Sequence, residues 1–176
     1  MSKRSANGST RIVMKQMQSV IAEERYAARL VDEKNAFVWS VFLPSAAFLE
    51  DAVELFHDLE RYASMTNTEP GVEFEFTFPT KYPHAPPFVR VVRPRFKFHT
   101  GHVTIGGSIC THFLTPDGWT NSLSAQDVIT FIHHDCIVQG GGRVDFGSNH
   151  HPSPLAEYSI YEAKEAFNRV KHEHGW

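Results

Sequence analysis

The chain has 176 residues, a length typical of one domain with a single core. Apolar residues make up 41% and charged residues 21%, as in ordinary globular proteins, and the net charge of −3 gives no basic field that would attract nucleic acid. Apolar runs are far shorter than a bilayer span, so we expect no membrane partner. Two cysteines do not make a disulfide framework, and with the polar N-terminus they favour a reducing compartment, the cytoplasm or the nucleus.

The N-terminal part of the chain predicts a tail and a helix. Residues 1–9 are small, polar and basic, which indicates a flexible tail. Ser9 or Thr10 can cap a helix that continues to Glu33. Its apolar residues recur at spacings of three, four and seven, which predicts one buried stripe made of Val13, Met17, Val20, Ala27 and Val31.

Strands and a second helix follow. Apolar residues alternate over Phe37–Leu43 and over Val72–Phe78, which predicts two strands, and Phe88–Val92 is typical of a third. Between the first two strands, the apolar spacing over Phe48–Met65 is helical. Four prolines in residues 79–87 exclude a helix interior or a central strand there.

The C-terminal part predicts two more helices. Ser124 and Asp127 have the pattern of a capping box, and the helix that they begin extends to Cys136. A last helix is capped by Ser153 and ends before Gly175. The complete pattern predicts the α+β class, with an antiparallel β-meander flanked by N-terminal and C-terminal helices. The last helix would bury Ile160, Ala163, Phe167 and Val170.

Cys110 follows a pair of glycines in a stretch without regular periodicity. A free cysteine is usually a core residue, and Cys136 fits that description because it lies on the apolar side of a predicted helix. A thiol in an irregular segment is more easily exposed, so we interpret Cys110 as a nucleophile that carries an acyl group. A metal site is an alternative, but no pair has the spacing of a common zinc site; its ligands would be His99, His102, Cys110 and His112, or His133, His134 and Cys136.

Separated motifs around Cys110 resemble those of the ubiquitin-conjugating enzyme family. The chain matches the core signature of that family in four places, which are, in order, Tyr82-Pro83-x-x-Pro86-Pro87, Gly107-Ser108-Ile109-Cys110, Leu114 and Trp119. Other motifs are similar to the Q-type branch, which lacks a His-Pro-Asn tripeptide: Phe88–Val92, Gly106-Gly107, Leu114-Thr115, Gly118-Trp119, Gly142–Gly147 and Gly175-Trp176. The resemblance covers residues 10–176 and implies one ubiquitin-conjugating core domain.

The resemblance implies acyl transfer through a cysteine thioester. A ubiquitin-activating enzyme, which uses the ATP, would pass ubiquitin to Cys110, and this chain would bind no cofactor and no metal. The acceptor on the protein substrate would be a lysine or, as the Q-type resemblance suggests, a serine or threonine hydroxyl. Because a thioester is already activated, transfer mainly requires positioning and stabilisation of the developing oxyanion.

Two helper residues of the family are replaced in this chain. His102 stands where the family has the Asn of the tripeptide, and we expect a ring nitrogen of His102 to support the oxyanion. The acidic residue that many members place beside the cysteine is also missing, and Asp145 is the nearest candidate in sequence. A histidine turned to solvent and a carboxylate in water are the alternatives for these two residues.

The resemblance also implies surfaces for protein partners. Basic residues of the first helix contact the activating enzyme in the family, which implies that role for Arg11 and Lys15; a solvated face is the alternative. The loops that face a ubiquitin ligase carry His84 in place of the usual Phe, and Thr120-Asn121-Ser122 in place of Ser-Pro-Ala. Both changes remove apolar contact area, so we expect any ligase to bind through a non-standard surface.

Two further functions stay open from the sequence. An inactive protein of this fold would be an adaptor that binds ubiquitin or a ligase, although such variants usually lack this cysteine. A cysteine hydrolase would need a histidine paired with the thiol and an oxyanion hole. His99, His102 and His112 are near Cys110 in sequence, but no pattern identifies one of them as the base.

Overall fold

A computed structural model describes residues 3–147 and 153–175, of which residues 3–7 by backbone alone. The predicted tail residues Met1 and Ser2 and the motif residue Trp176 lie outside the described residues. The short elements are a 3₁₀ turn at Ser45–Phe48, a second 3₁₀ turn at His112–Leu114 just after Cys110, and a π-helix at Ile132–Val138. The main elements are α1 (Lys3–Ala22), β1 (Ala27–Asp32), β2 (Asn35–Pro44), α2 (Val53–Thr66), β3 (Gly71–Thr77), β4 (Phe88–Arg93), α3 (Ala125–Phe131) and α4 (Ile160–His174).

The four strands form one antiparallel sheet in the order β1-β2-β3-β4, so that sequential strands are neighbours. The alternation that predicted β2 and β3 also determines their register, because Trp39 pairs with Phe76 and Val41 pairs with Phe74. All four side chains are buried in the main core. Helix α1 contacts β1, β2 and α3, and α2 contacts β3. The predicted α+β class with an antiparallel meander is confirmed.

Helix α1 differs from the first predicted helix at both ends. It begins at Lys3, ahead of the predicted cap at Ser9 or Thr10, and it ends at Ala22 instead of Glu33. A turn with a left-handed residue at position 24 follows the helix. The buried stripe is confirmed for the part that lies in α1, which is Val13, Met17 and Val20.

Strand β1 replaces the C-terminal part of the first predicted helix. Ala27 and Val31, predicted to be buried, lie on the exposed side of this strand. Alternate residues of a strand face opposite sides, and Ala28 and Leu30 take the side that packs against the core. The helical spacing of Ala27 and Val31 was therefore coincidental, and the sheet has four strands instead of three.

Two other helices begin later than predicted. Helix α2 follows the 3₁₀ turn that contains Phe48 and does not begin at that residue. The last helix is capped at Ser159, whose hydroxyl accepts from Glu162 N, and not at Ser153. Ile160 lies in its first turn and is exposed instead of buried. The capping box predicted for α3 is confirmed, and among the described residues no helix is both long and apolar enough to cross a membrane.

Candidate active site

A short hairpin beside β4, residues 102–110, carries Cys110; we call it the Cys110 hairpin. Its two arms form an antiparallel bridge, and the Cys110 N–H donates to the His102 carbonyl oxygen (2.8 Å). The returning arm pairs with β4 through backbone hydrogen bonds, among them the one from Val91 N to Gly107 O (2.8 Å). Cys110 therefore lies outside the regular elements but has a backbone that the sheet holds in place.

Tyr158 anchors the Cys110 hairpin from the C-terminal segment. Its ring packs on Gly107, where an added Cβ would lie 2.5 Å from the ring, and Gly107 has a φ of 93° that favours glycine. The Tyr158 hydroxyl accepts from Phe96 N (2.9 Å), and its carbonyl oxygen accepts from the Arg90 guanidinium (2.8 Å). The Arg95 guanidinium lies 4.3 Å from the centre of the ring. Tyr158 thus joins the C-terminal segment, the hairpin and β4.

Arg95 fixes the start of α4 next to the Cys110 hairpin. Its side chain is 3% exposed, donates to the carbonyl oxygens of Ala156 and Glu157, and pairs with the Glu162 carboxylate (2.9 Å). A buried guanidinium is tolerated only when it is paired and hydrogen-bonded. The first turn of α4 is so close to the hairpin that a Cβ at Gly106 would collide with the Glu162 carbonyl oxygen. One face of α4 is therefore held beside Cys110.

The Cys110 thiol is half-buried and the Cys136 thiol is buried. Among the described residues, none makes a hydrogen bond to Cys110 Sγ, so the histidine–thiol pair of a cysteine hydrolase is not formed there. Burial raises the pKa of Cys110. Burial, followed by the charge of Asp135, raises the pKa of Cys136 to about 12. The first thiol is reachable without being activated in advance, and the second is inert.

Alkylation of the native protein should therefore modify Cys110 and leave Cys136 unmodified. Because the thiolate reacts, the rate at Cys110 should increase about tenfold per pH unit below its pKa. The raised pKa means that this increase should continue beyond about pH 8.5, where an ordinary thiol is half ionised. Mass spectrometry of iodoacetamide-treated protein measures both sites. Equal modification of the two cysteines before unfolding would contradict the assignment.

His102 lies next to Cys110, as the resemblance implied, and its backbone is left-handed (φ 54°). Its Nδ1 is 3.3 Å from the Cys110 carbonyl oxygen. Since a carbonyl oxygen only accepts, Nδ1 is the donor in this contact. The catalytic role of His102 stays a prediction.

Cys110 and His102 line a groove of about 510 Å³ between the Cys110 hairpin and α4. This volume lies within the range of about 300–1,000 Å³ that is typical of ligand sites. One wall is formed by residues of the segment 98–105, which leads into and includes the first arm of the hairpin. The other wall is one face of α4, with Ala166, Arg169, Val170, Glu173 and His174.

Asp145 does not line this groove. It is buried, its N–H donates to the Arg95 carbonyl oxygen (2.8 Å), and its carboxylate accepts from Gly147 N (3.1 Å). A role for Asp145 in orienting an acceptor stays a prediction, and this position does not support it. Within the described ranges, no three His, Cys, Asp or Glu side chains lie close enough together to hold a metal ion.

The two loops predicted to face a ligase lie side by side. The Trp119 indole N–H donates to the Pro83 carbonyl oxygen (2.7 Å), which joins the proline-rich loop to the segment after the tryptophan. His84 and all of Thr120-Asn121-Ser122 are exposed. The geometry leaves these residues accessible, whereas their contact with a ligase stays a prediction.

Gln16 connects α1 to both of these regions, and sequence reasoning missed it. Its Oε1 accepts from the Tyr82 hydroxyl (2.6 Å) and from Ala125 N at the start of α3 (2.9 Å). The partners are 66 and 109 positions away, so no local pattern could identify this residue. Arg11 and Lys15 are exposed on the same helix; their contact with an activating enzyme stays a prediction.

The family model described as ubiquitin-conjugating enzyme matches residues 70–134. A Q-like ubiquitin-conjugating enzyme of Homo sapiens, the E2 Q-like protein 1, is 35% identical over 133 residues, which are 74% of this chain and 75% of that protein. The ubiquitin-conjugating enzyme E2 25 of Caenorhabditis elegans is 30% identical, and E2 Q1 of Homo sapiens is 29% identical. Each of these two alignments covers 93% of this chain, which spans 42% and 38% of the length of the two relatives.

Solved structures with the same fold are also ubiquitin-conjugating enzymes. The human enzyme E2 G1 has a TM-score of 0.51 at 18% identity, with 71% of this chain and 90% of that chain covered. An enzyme from Plasmodium falciparum has a TM-score of 0.52 at 21% identity, with coverage of 70% and 94%. At such low identity the two structures support the fold alone.

Proposed function

This chain belongs to the ubiquitin-conjugating enzyme family, in its Q-type branch, and we propose that Cys110 accepts ubiquitin as a thioester and transfers it to a target nucleophile. The observation that carries the proposal is a half-buried thiol, held by a hairpin at a groove, with no base on its sulfur among the described residues. A carrier needs a reachable thiol but no permanent base beside it, because the ubiquitin that reaches it is already activated.

The loading step exchanges one thioester for another. The Cys110 thiolate attacks the carbonyl carbon at the ubiquitin C-terminus, the bond from that carbon to the sulfur of the activating enzyme breaks, and the thiolate of the activating enzyme leaves. Two thioesters have similar energies, so the equilibrium of the exchange is nearly balanced, and the contribution that we assign to the protein is positioning. The ATP is consumed by the activating enzyme, and this chain supplies no cofactor.

The transfer step delivers ubiquitin to a lysine amine or to a serine or threonine hydroxyl. The nucleophile attacks the thioester carbonyl, an oxyanion develops, and the Cys110 thiolate leaves and takes up a proton. Partners proposed from the family are ubiquitin, an activating enzyme at Arg11 and Lys15, and protein substrates. We include a ligase that binds through a non-standard surface, because apolar contact area is missing at His84 and Thr120-Asn121-Ser122.

The test is a charging assay with activating enzyme, ATP and ubiquitin. We expect an adduct of this chain with ubiquitin that disappears when thiol reductant is added, and iodoacetamide should no longer label Cys110 in the adduct. No adduct with ubiquitin would contradict the proposal. If ubiquitin then bound without a covalent bond, the result would favour the inactive adaptor.

The role of His102 is tested by single-turnover discharge of the charged protein. We expect His102→Ala to charge normally but to discharge at least about a hundredfold more slowly, the low end of the effect of losing a preorganised oxyanion donor. His102→Asn should retain most of the rate, because Asn tolerates the left-handed backbone and can donate. Unchanged discharge in His102→Ala, from a protein that charges normally, would remove the role of His102.

A further inference from the structure

The groove beside Cys110 has two chemically different parts. Its apolar part comes from both walls, with Phe98 and Ile105 on one side, 45% and 41% exposed, and Val170 on the other. Its charged part comes from α4, where Arg169 and Glu173 lie on successive turns of the same face. Glu173 is the single carboxylate among the described residues that line the groove.

The placement of Glu173 does not serve the stability of the helix. It lies in the last turn of α4, where the carbonyl end of a helix disfavours a negative charge. Arg169 precedes Glu173 by four residues, which is the weaker orientation for an ion pair on a helix. Neither side chain makes a hydrogen bond or an ion pair with another residue that the structure describes. Both charged groups are therefore available to a molecule in the groove.

We propose that this groove binds the acceptor segment of a target protein, and that Glu173 selects segments that carry a basic side chain next to an apolar one. The inference rests on the proposed transfer function, since it assigns the groove to the chain that receives ubiquitin. The apolar side chain would cover Phe98 and Ile105, whose exposure to water is otherwise unfavourable. Arg169 would repel a basic side chain one turn away, so the segment would bind in one direction.

The chemistry at Cys110 requires such a second chain. With a lysine acceptor, the neutral amine attacks the thioester carbonyl, the new C–N bond forms, the C–S bond to Cys110 breaks, and the amine loses a proton as the thiolate gains one. Glu173 takes no part in these bonds. It is a specificity residue that holds the acceptor segment while the nucleophile reaches the carbonyl carbon.

Two matched peptides test the proposal. Each has one lysine and one leucine, and one has an arginine where the other has a glutamate. With charged wild-type protein, we expect single-turnover discharge onto the arginine peptide to be favoured about threefold to fivefold at subsaturating concentration, the size of an exposed ion pair. Glu173→Arg should reverse the preference. Glu165→Arg, a matched change on an exposed part of α4 outside the groove, should leave it as in wild type.

A second readout does not need ubiquitin. The arginine peptide should slow iodoacetamide modification of Cys110 in the uncharged protein more than the glutamate peptide does, with the order reversed in Glu173→Arg. The inference would be overturned if neither peptide slowed the modification of Cys110, or if wild type and Glu173→Arg preferred the same peptide. So would slower loading of ubiquitin in Glu173→Arg, because the groove would then hold the tail of ubiquitin. Failure of charging with intact peptide selectivity would contradict the proposed function alone.

Discussion

Cys110→Ala is expected to form no reductant-sensitive adduct with ubiquitin, a complete loss of charging and the largest effect that we predict. The reason is chemical, since the variant has no sulfur at the position where the thioester forms. The fold should be little affected, because Cys110 is half-buried and its backbone is held by hydrogen bonds that do not involve the side chain. A gel of the charging reaction, with and without reductant, measures the result.

Cys136→Ala is the matched control for this loss. Its thiol is buried, so the change leaves a small cavity and should cost about 1 kcal/mol of the free energy of unfolding. Charging should be retained, because the pKa of about 12 and the burial make Cys136 a poor nucleophile. An adduct that survives in Cys110→Ala and disappears in Cys136→Ala would show that the carrier has been assigned to the wrong cysteine.

Cys110→Ser sharpens the same prediction. A serine at this position can form an oxygen ester with ubiquitin, which thiol reductant does not cleave. We therefore expect either no adduct or one that persists in reductant and is cleaved by alkali. An adduct of Cys110→Ser that remains sensitive to reductant would place the thioester elsewhere in the chain.

The sequence predicted the central strands β2 and β3 well because the alternation of apolar residues agrees there with the burial of one face of the sheet. Val72–Phe78 alternates strictly, and the strand observed is Gly71–Thr77, with the apolar members buried as predicted. The edge strand β1 was missed for a physical reason. Only Ala28 and Leu30 face the core, and two residues are too few for a period of two to be distinguished from a helical spacing.

Some residues of the candidate site could be identified from a local motif, whereas others are brought to it from distant parts of the chain. Cys110 and its glycines are adjacent in sequence, so a local motif was sufficient to find them. The role of Tyr158 could not be predicted from the sequence, because it depends on contacts with Gly107 and β4 that are made through tertiary packing. The groove face of α4 looked like an ordinary buried stripe, since Val170 has the same spacing whether it covers a core or lines a groove.

Gly107→Ala is the second large effect that we expect, on stability and on the site together. An added Cβ would lie 2.5 Å from the Tyr158 ring, and the φ of 93° is unfavourable for alanine. Backbone strain and overpacking together should cost about 3 kcal/mol of the free energy of unfolding. For a chain of this length, that loss lowers the melting temperature by roughly 6 to 12 °C.

Gly141→Ala separates the two contributions to that loss. Gly141 also has a left-handed backbone (φ 60°), but an added Cβ would meet no atom within 4 Å. This variant should lose only about 1 kcal/mol, the cost of the backbone conformation. Calorimetry of the two variants gives the difference, which we attribute to the contact with Tyr158. Equal losses would show that the ring moves aside freely.

The contact between Gly107 and Tyr158 also links the stability of the protein to the reactivity of Cys110 and to the transfer of ubiquitin. If Tyr158 moves to accommodate the methyl group of Gly107→Ala, the Cys110 hairpin loses its anchor to the C-terminal segment, and the wall of the groove formed by α4 moves with it. We therefore expect faster alkylation of Cys110 together with slower transfer of ubiquitin, measured at a temperature where the variant is folded. In Gly141→Ala both rates should stay near those of the wild type. Slower alkylation in Gly107→Ala would instead mean that the hairpin closes over the thiol, and that Tyr158 holds the site open.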